Sequence, residues 1–100
     1  FELGFMRALG RPVFGYAHTA GDFAQRTLAA LGPRIRRRPD GVWEDEEGMA
    51  VEEFGLVDNL MLDGGIRASG GVFLTAPPAP WTDLALFERC AEVAAKRLGR

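Results

Sequence analysis

The spacing of apolar and polar positions changes once within the first sixteen residues, and the change marks a helix running into a strand. Glu2, Phe5, Met6 and Leu9 fall at i, i+3, i+4 and i+7, which places all four on one helical stripe. Three of them are large and apolar, so the stripe is predicted to be buried, with a carboxylate on it. Gly10 supplies the left-handed residue that ends a helix, Arg11-Pro12 blocks its continuation, and Val13-Phe14-Gly15-Tyr16 is an apolar run of strand length. Further on, Asp22 and Gln25 match a capping box. They predict a helix with Phe23, Thr27, Ala30 and Leu31 on one face and Gly32-Pro33 as its stop.

Turn signals at Asp40-Gly41 and Glu47-Gly48 set off Val42-Trp43-Glu44 and Met49-Ala50-Val51, predicting a small excursion or hairpin outside the main sheet. Asp58 is placed to cap a short helix beginning Asn59-Leu60-Met61-Leu62, with Gly64-Gly65 ending or interrupting it. Gly70-Gly71 leads to a second strand, Val72-Phe73-Leu74-Thr75, and Ala76-Pro77-Pro78-Ala79-Pro80 is a stiff extended connector. Thr82 is the expected cap of a last helix whose stripe is Phe87, Cys90, Ala91, Ala94 and Leu98. Helices alternating with two strands predict an α/β chain.

Composition narrows the chemistry. One hundred residues with 47% hydrophobic content describe a small globular unit, and a formal charge of −2 offers no electrostatic case for nucleic acid polymers. Cys90 is the single cysteine and His18 the single histidine, so no Cys/His metal cluster can form. No long apolar run and no secretory leader is present, which sets the expectation of a soluble cytoplasmic protein with no membrane partner. The glycines match neither dinucleotide nor P-loop patterns. The chain opens on Phe1 without a capping residue for its first helix, and the two clear strands are few for a parallel sheet. Residues 1–100 therefore read as a single domain truncated at its amino-terminal side.

Several residues carry two readings. Glu2 is either a first-turn carboxylate favoured by the helix dipole and reaching water, or a carboxylate held in a pocket for chemistry. His18, expected in a loop past the carboxyl end of a strand, either lines a site there or is merely solvated. Arg34, Arg36, Arg37 and Arg38, followed by Glu44, Asp45, Glu46 and Glu47, are two solvated edges of opposite charge, or else the arginines hold a phosphate or a neighbouring subunit. Trp43 covers an apolar surface or stacks on a base. Cys90 reads as a small buried hydrophobe rather than a nucleophile. By position alone, Asn59 assists a cap and Met61 fills core.

Phe1-Glu2-Leu3-Gly4-Phe5-Met6-Arg7-Ala8-Leu9-Gly10-Arg11-Pro12-Val13-Phe14-Gly15-Tyr16 resembles the nucleoside 2-deoxyribosyltransferase family. A second block, Val51 to Leu62 with Asn59-Leu60-Met61 at its heart, is similar to a later segment of that family. The resemblance implies a Rossmann/flavodoxin-like three-layer sandwich with a parallel sheet, of which only the later part is present. It implies transfer of a 2-deoxyribosyl group between nucleobases through a covalent glycosyl-enzyme on Glu2, without metal or organic cofactor. Its small-molecule partners would be nucleosides and free nucleobases. Asn59 would hydrogen-bond a sugar hydroxyl and Met61 would wall the sugar pocket, both presented to a neighbouring subunit of a homo-oligomer with shared active sites. The acid that protonates the leaving base, and an aromatic residue near the amino terminus, would lie before Phe1. Two other readings stay open: a 2'-deoxynucleoside 5'-phosphate N-glycoside hydrolase of the same superfamily, and a non-catalytic nucleoside-binding module.

Overall fold

The computed structural model describes residues 1–100. Helix α1 spans Glu2–Ala8, strand β1 Gly15–His18, helix α2 Phe23–Leu31, strand β2 Arg36–Arg37, strand β3 Trp43–Glu44, helix α3 Leu60–Ala68, strand β4 Phe73–Ala76 and helix α4 Ala85–Arg97. Strands β1 and β4 pair in parallel, with Gly15 opposite Phe73 and His18 opposite Ala76. Parallel pairing demands a long crossover, and α2, the β2–β3 hairpin and α3 together form it.

The pleat assigns the layers. A Cβ at Gly15 would point at Ile66 of α3, whereas the ring of the next residue, Tyr16, lies 5.8 Å from that of Phe87 on α4. Successive strand residues face opposite sides, so α3 and α4 cover opposite faces, and α1 packs on α3. The result is an α/β arrangement with a parallel sheet flanked by helices, which fits a Rossmann-like fold in general terms.

Local signals account for most boundaries. Asp22 accepts a hydrogen bond from the Gln25 backbone at 2.8 Å while Gln25 Oε1 accepts from the Asp22 N–H at 3.0 Å, completing the capping box. Gly32, at φ 56°, ends α2 as expected. Other boundaries move. Strand β1 starts two residues later than its apolar run and takes in His18, because the backbone at Val13 is held instead by Ser69, whose Oγ accepts from Val13 N–H at 2.8 Å. Helix α3 is capped by Asn59 rather than Asp58 and runs straight through Gly64-Gly65, since Leu3 of α1 packs where a larger residue would stand. Helix α4 begins after Leu84, not at Thr82; Asp83 accepts from Ala85 N–H at 3.0 Å.

The largest departure concerns burial. Five of 100 residues are buried: Ala24, Asp63, Ile66, Leu86 and Cys90. The α1 stripe expected to be buried is open, with Phe5 58% and Leu9 58% exposed; Leu3, outside the stripe, makes the contact with α3. On α4, Leu86 and Cys90 are buried while Phe87 and Leu98 are not. The radius of gyration, 16.1 Å, exceeds the roughly 13 Å of a compact 100-residue domain. A two-stranded sheet has too little surface to cover every apolar helix face.

Asp63, fully buried on α3, is the one charged residue in this small core. Its Oδ2 accepts from the Val57 N–H at 2.8 Å, and its Oδ1 accepts from Arg67 Nε one turn along the helix. Arg26 of α2 donates to the Val57 carbonyl and Phe23 N–H to Leu56 O, so residues 56–57 are clasped between α2 and α3. Replacing Asp63 with Ala strands the Val57 N–H, while the Arg67 side chain, 58% exposed, returns to water. We expect a loss of about 2 kcal/mol, measured by urea unfolding of the two chains.

Candidate functional site

Glu2 occupies the first position of α1, and its side chain is 94% exposed. No hydrogen bond from another side chain engages its carboxylate. The residue after it, Leu3, lies 3.1 Å from where a Cβ on Gly65 would stand, and Gly65 is one helical turn beyond Met61 on the same face of α3. The α1–α3 contact thus links the candidate nucleophile to the Asn-Leu-Met turn. Both helices lead directly into the parallel strands, so their first turns lie toward the carboxyl edge of the sheet, the edge at which open α/β sheets bind ligands.

Asn59 is half-buried and its Oδ1 accepts from Leu62 N–H at 3.0 Å, which commits the oxygen to the cap. Its amide N–H groups have no partner within the chain. Asn59 lines a cavity of about 290 Å³ together with Phe23, Thr27, Met49, Val51 and Glu52. Met61 is 80% exposed, flanked by Leu60 at 46% and Leu62 at 41%, so it fills no core. Glu2 lines neither of the two main cavities. The structure therefore brings Glu2 and Met61 to neighbouring helices and sets Asn59 in a different recess.

His18, expected in a loop, is the last residue of β1, where its Nδ1 lies 3.0 Å from the Pro77 carbonyl and its Nε2 is buried without a partner. An Nδ1–H donated to that carbonyl leaves Nε2 as an acceptor. Arg34 turns back to the Leu31 carbonyl at 3.4 Å, and the other three arginines of the run lie on the hairpin. Arg36 Nε meets Glu44 at 2.6 Å, Arg38 meets Asp40 at 2.8 Å, and Arg37 lies 5.3 Å over the Trp43 ring. Glu44 is the one acidic residue of its run that pairs across the strands, and the arginines, Glu46 and Glu47 stay exposed as solvated edges.

Cys90 is buried against β1, its Sγ 3.7 Å from the Gly15 carbonyl, and burial pushes its thiol above the ordinary value of 9.0. A raised pKa means that the unfolded chain releases the proton first. Cys90 should therefore support the fold fully below about pH 9, and that contribution is lost as pH rises further. A thiol reagent at neutral pH should label it only as fast as the chain opens, which stopped-flow labelling in increasing urea would show.

Glu52 was not legible as a site residue. Its Oε2 accepts from Leu60 N–H at 2.8 Å, closing the first turn of α3 from eight residues away, a separation that no local pattern encodes. No group of His, Cys, Asp and Glu side chains is arranged to hold a metal ion. No helix is long and apolar enough to cross a membrane.

The sequence model of the family described as nucleoside 2-deoxyribosyltransferase matches residues 1–61, a stretch that runs from the Glu2 helix through Asn59 and Met61. The chain belongs to this family. An uncharacterized protein of Schizosaccharomyces pombe (strain 972) is 33% identical to this deoxyribosyltransferase-family chain over 78 residues, covering 70% of the chain and 37% of that protein. The chain thus spans a little over a third of the curated relative it matches. No solved structure matches it.

Proposed function

We propose that the chain carries the nucleophile part of an enzyme that moves a 2-deoxyribosyl group from one nucleobase to another. The observation that supports this most directly is the family match over residues 1–61, which includes Glu2, Asn59 and Met61 in one continuous segment. The exposed Glu2 carboxylate suits the role, because a nucleophile must reach its electrophile. It attacks the anomeric carbon of a deoxynucleoside as the carbon–nitrogen bond to the base breaks, and an ester to the sugar forms. The departing base takes up a proton. A nitrogen of a second base then attacks the same carbon and gives up its proton, which balances the one taken up by the first base; the ester breaks, and the configuration is retained overall.

Asn59, with its amide N–H groups unspent, is the proposed donor to a sugar hydroxyl, and exposed Met61 the proposed wall of a neighbouring subunit's sugar pocket. A homo-oligomer sharing its active sites follows from that arrangement. The open α1 stripe and the few buried residues support the further reading that residues 1–100 are the later part of a flavodoxin-like domain.

The test is product analysis. Supplied with a deoxynucleoside and a second free base, the whole protein should form the exchanged nucleoside with ping-pong kinetics. Accumulation of free base and free sugar phosphate from a deoxynucleotide, without exchange, would move the assignment to the hydrolase. Binding without either product would leave a nucleoside-binding module.

A further inference from the structure

Residues 51–58 join the hairpin to α3 without a helix or strand of their own, and they lead directly into Asn59 and Met61. Packing does not hold this segment in place. Cavities of about 530 Å³ beside Trp43 and about 290 Å³ beside Asn59 lie against its first residues, and Glu53, Phe54 and Gly55 are exposed. Its position is therefore set by hydrogen bonds, and those at its far end come from other elements. Val57, two residues before Asn59, donates its N–H to Asp63 of α3 at 2.8 Å, and its carbonyl accepts from Arg26 of α2. The adjacent Leu56 carbonyl accepts from Phe23 N–H at 2.9 Å.

Arg26 has a second bond. Its other terminal nitrogen donates to the Gly21 carbonyl at 3.0 Å, in the loop that leaves the carboxyl end of β1. It forms no salt bridge, so its charge is committed to these two carbonyls. Charge-assisted bonds are the strong ones, and the planar guanidinium fixes the spacing of the two acceptors it spans. One side chain thus ties the turn before Asn59 to the carboxyl edge of the sheet. We infer that Arg26 is a positioning residue for sugar transfer, holding residues 56–58 so that Asn59 and Met61 are presented to a site whose Glu2 belongs to the neighbouring subunit. The inference rests on the shared-site reading above. Arg26 touches no reacting atom, and its effect arrives in another chain. A displacement of about 1 Å at a group that orients substrate costs on the order of a hundred-fold in rate.

The experiment is complementation between subunits of the whole protein. Arg26→Met keeps an apolar stem and removes both bonds, and should lower base exchange roughly 10- to 100-fold. Co-expressed with Glu2→Gln chains under two affinity tags and isolated as mixed oligomers, it should recover about half of the parent's exchange, because each pair of unlike subunits holds one site with an intact Glu2 and an intact Asn59 segment. A residue that only stabilises its own subunit would not be rescued, since the Glu2 it serves stays in the damaged chain. Asn59→Ala mixed with Glu2→Gln is the reference and should be restored in the same way. Arg26→Lys keeps the charge but reaches one carbonyl at a time; it replaces Arg26→Met if that chain fails to fold, with a loss of about five-fold that mixing again restores. With a parent that exchanges bases, undiminished exchange in the Arg26 variants, a loss that mixing does not restore, or failure of the Asn59→Ala reference each overturns the inference alone. A parent without exchange overturns the transferase reading, and this inference with it.

Discussion

Gly71→Ala should unfold the chain or come close to it. A Cβ at residue 71 would stand 1.6 Å from the carbonyl oxygen of Val13 and 2.6 Å from its carbonyl carbon. Both are backbone atoms, so no side chain can swing away. The two segments are drawn together by Ser69, whose Oγ accepts from Val13 N–H at 2.8 Å and from Gly71 N–H at 3.3 Å, and by Gly15 N–H donating to Val72 O at 3.0 Å. These bonds set the register of β1 on β4. Moving residue 71 away breaks them, at a cost of about 3 kcal/mol or more. A chain with so few buried residues has about 5 kcal/mol in total. Thermal unfolding followed by circular dichroism should show a transition displaced far downward or lost. Gly4→Ala is the control, because nothing lies within 4 Å of a Cβ there. Being inside α1, it should stabilise the chain by about 0.5–1 kcal/mol. Equal melting of the Gly71→Ala and parent chains would refute the close approach.

Glu2→Gln should remove base exchange from the whole protein, lowering turnover roughly a thousand-fold or more. An amide has nearly the shape of the carboxylate but neither the charge that stabilises an oxocarbenium-like sugar nor the nucleophilicity to form the ester. Because the Glu2 side chain is exposed and outside the core, stability should change by less than about 0.5 kcal/mol. Binding of a deoxynucleoside should persist, since the lost interaction belongs to the transition state. Rapid-quench mass spectrometry supplies the decisive readout: a deoxyribosyl adduct on the parent enzyme and none on the variant. An adduct or undiminished exchange in Glu2→Gln would assign the nucleophile to another residue.

Much of the local architecture was readable from spacing because its causes are local. The capping box of Asp22 and Gln25, the stop at Gly32, the hairpin around Asp40-Gly41 and both strands of the parallel pair depend on residues within a few positions of one another. The family-like blocks at 1–16 and 51–62 were likewise legible, and with them Glu2, Asn59 and Met61 as candidates. Their positions in space were not. Asn59 rather than Asp58 caps α3 because its Oδ1 meets Leu62 N–H, a matter of backbone approach that residue type does not settle.

Period identified which residues of α1 share a face, and packing decided that this face stays open. Leu3 meets the surface of Gly65, so α1 turns its Phe5–Leu9 side outward. The same holds for Gly64-Gly65, which propensity marks as a break and tertiary contact turns into a seat for another helix. The cavity beside Trp43, the clasp of Asp63 on Val57 and the bond from Glu52 to Leu60 join residues whose adjacency arises only when the chain closes on itself. By itself the sequence determined most of the elements and their order, since these follow from backbone preference and short-range hydrogen bonds, and its resemblance to a family singled out Glu2 as the candidate carboxylate. The tertiary structure alone decided which faces are covered, which polar atoms are left free and where a ligand has room, because those depend on surfaces meeting across long separations in the chain.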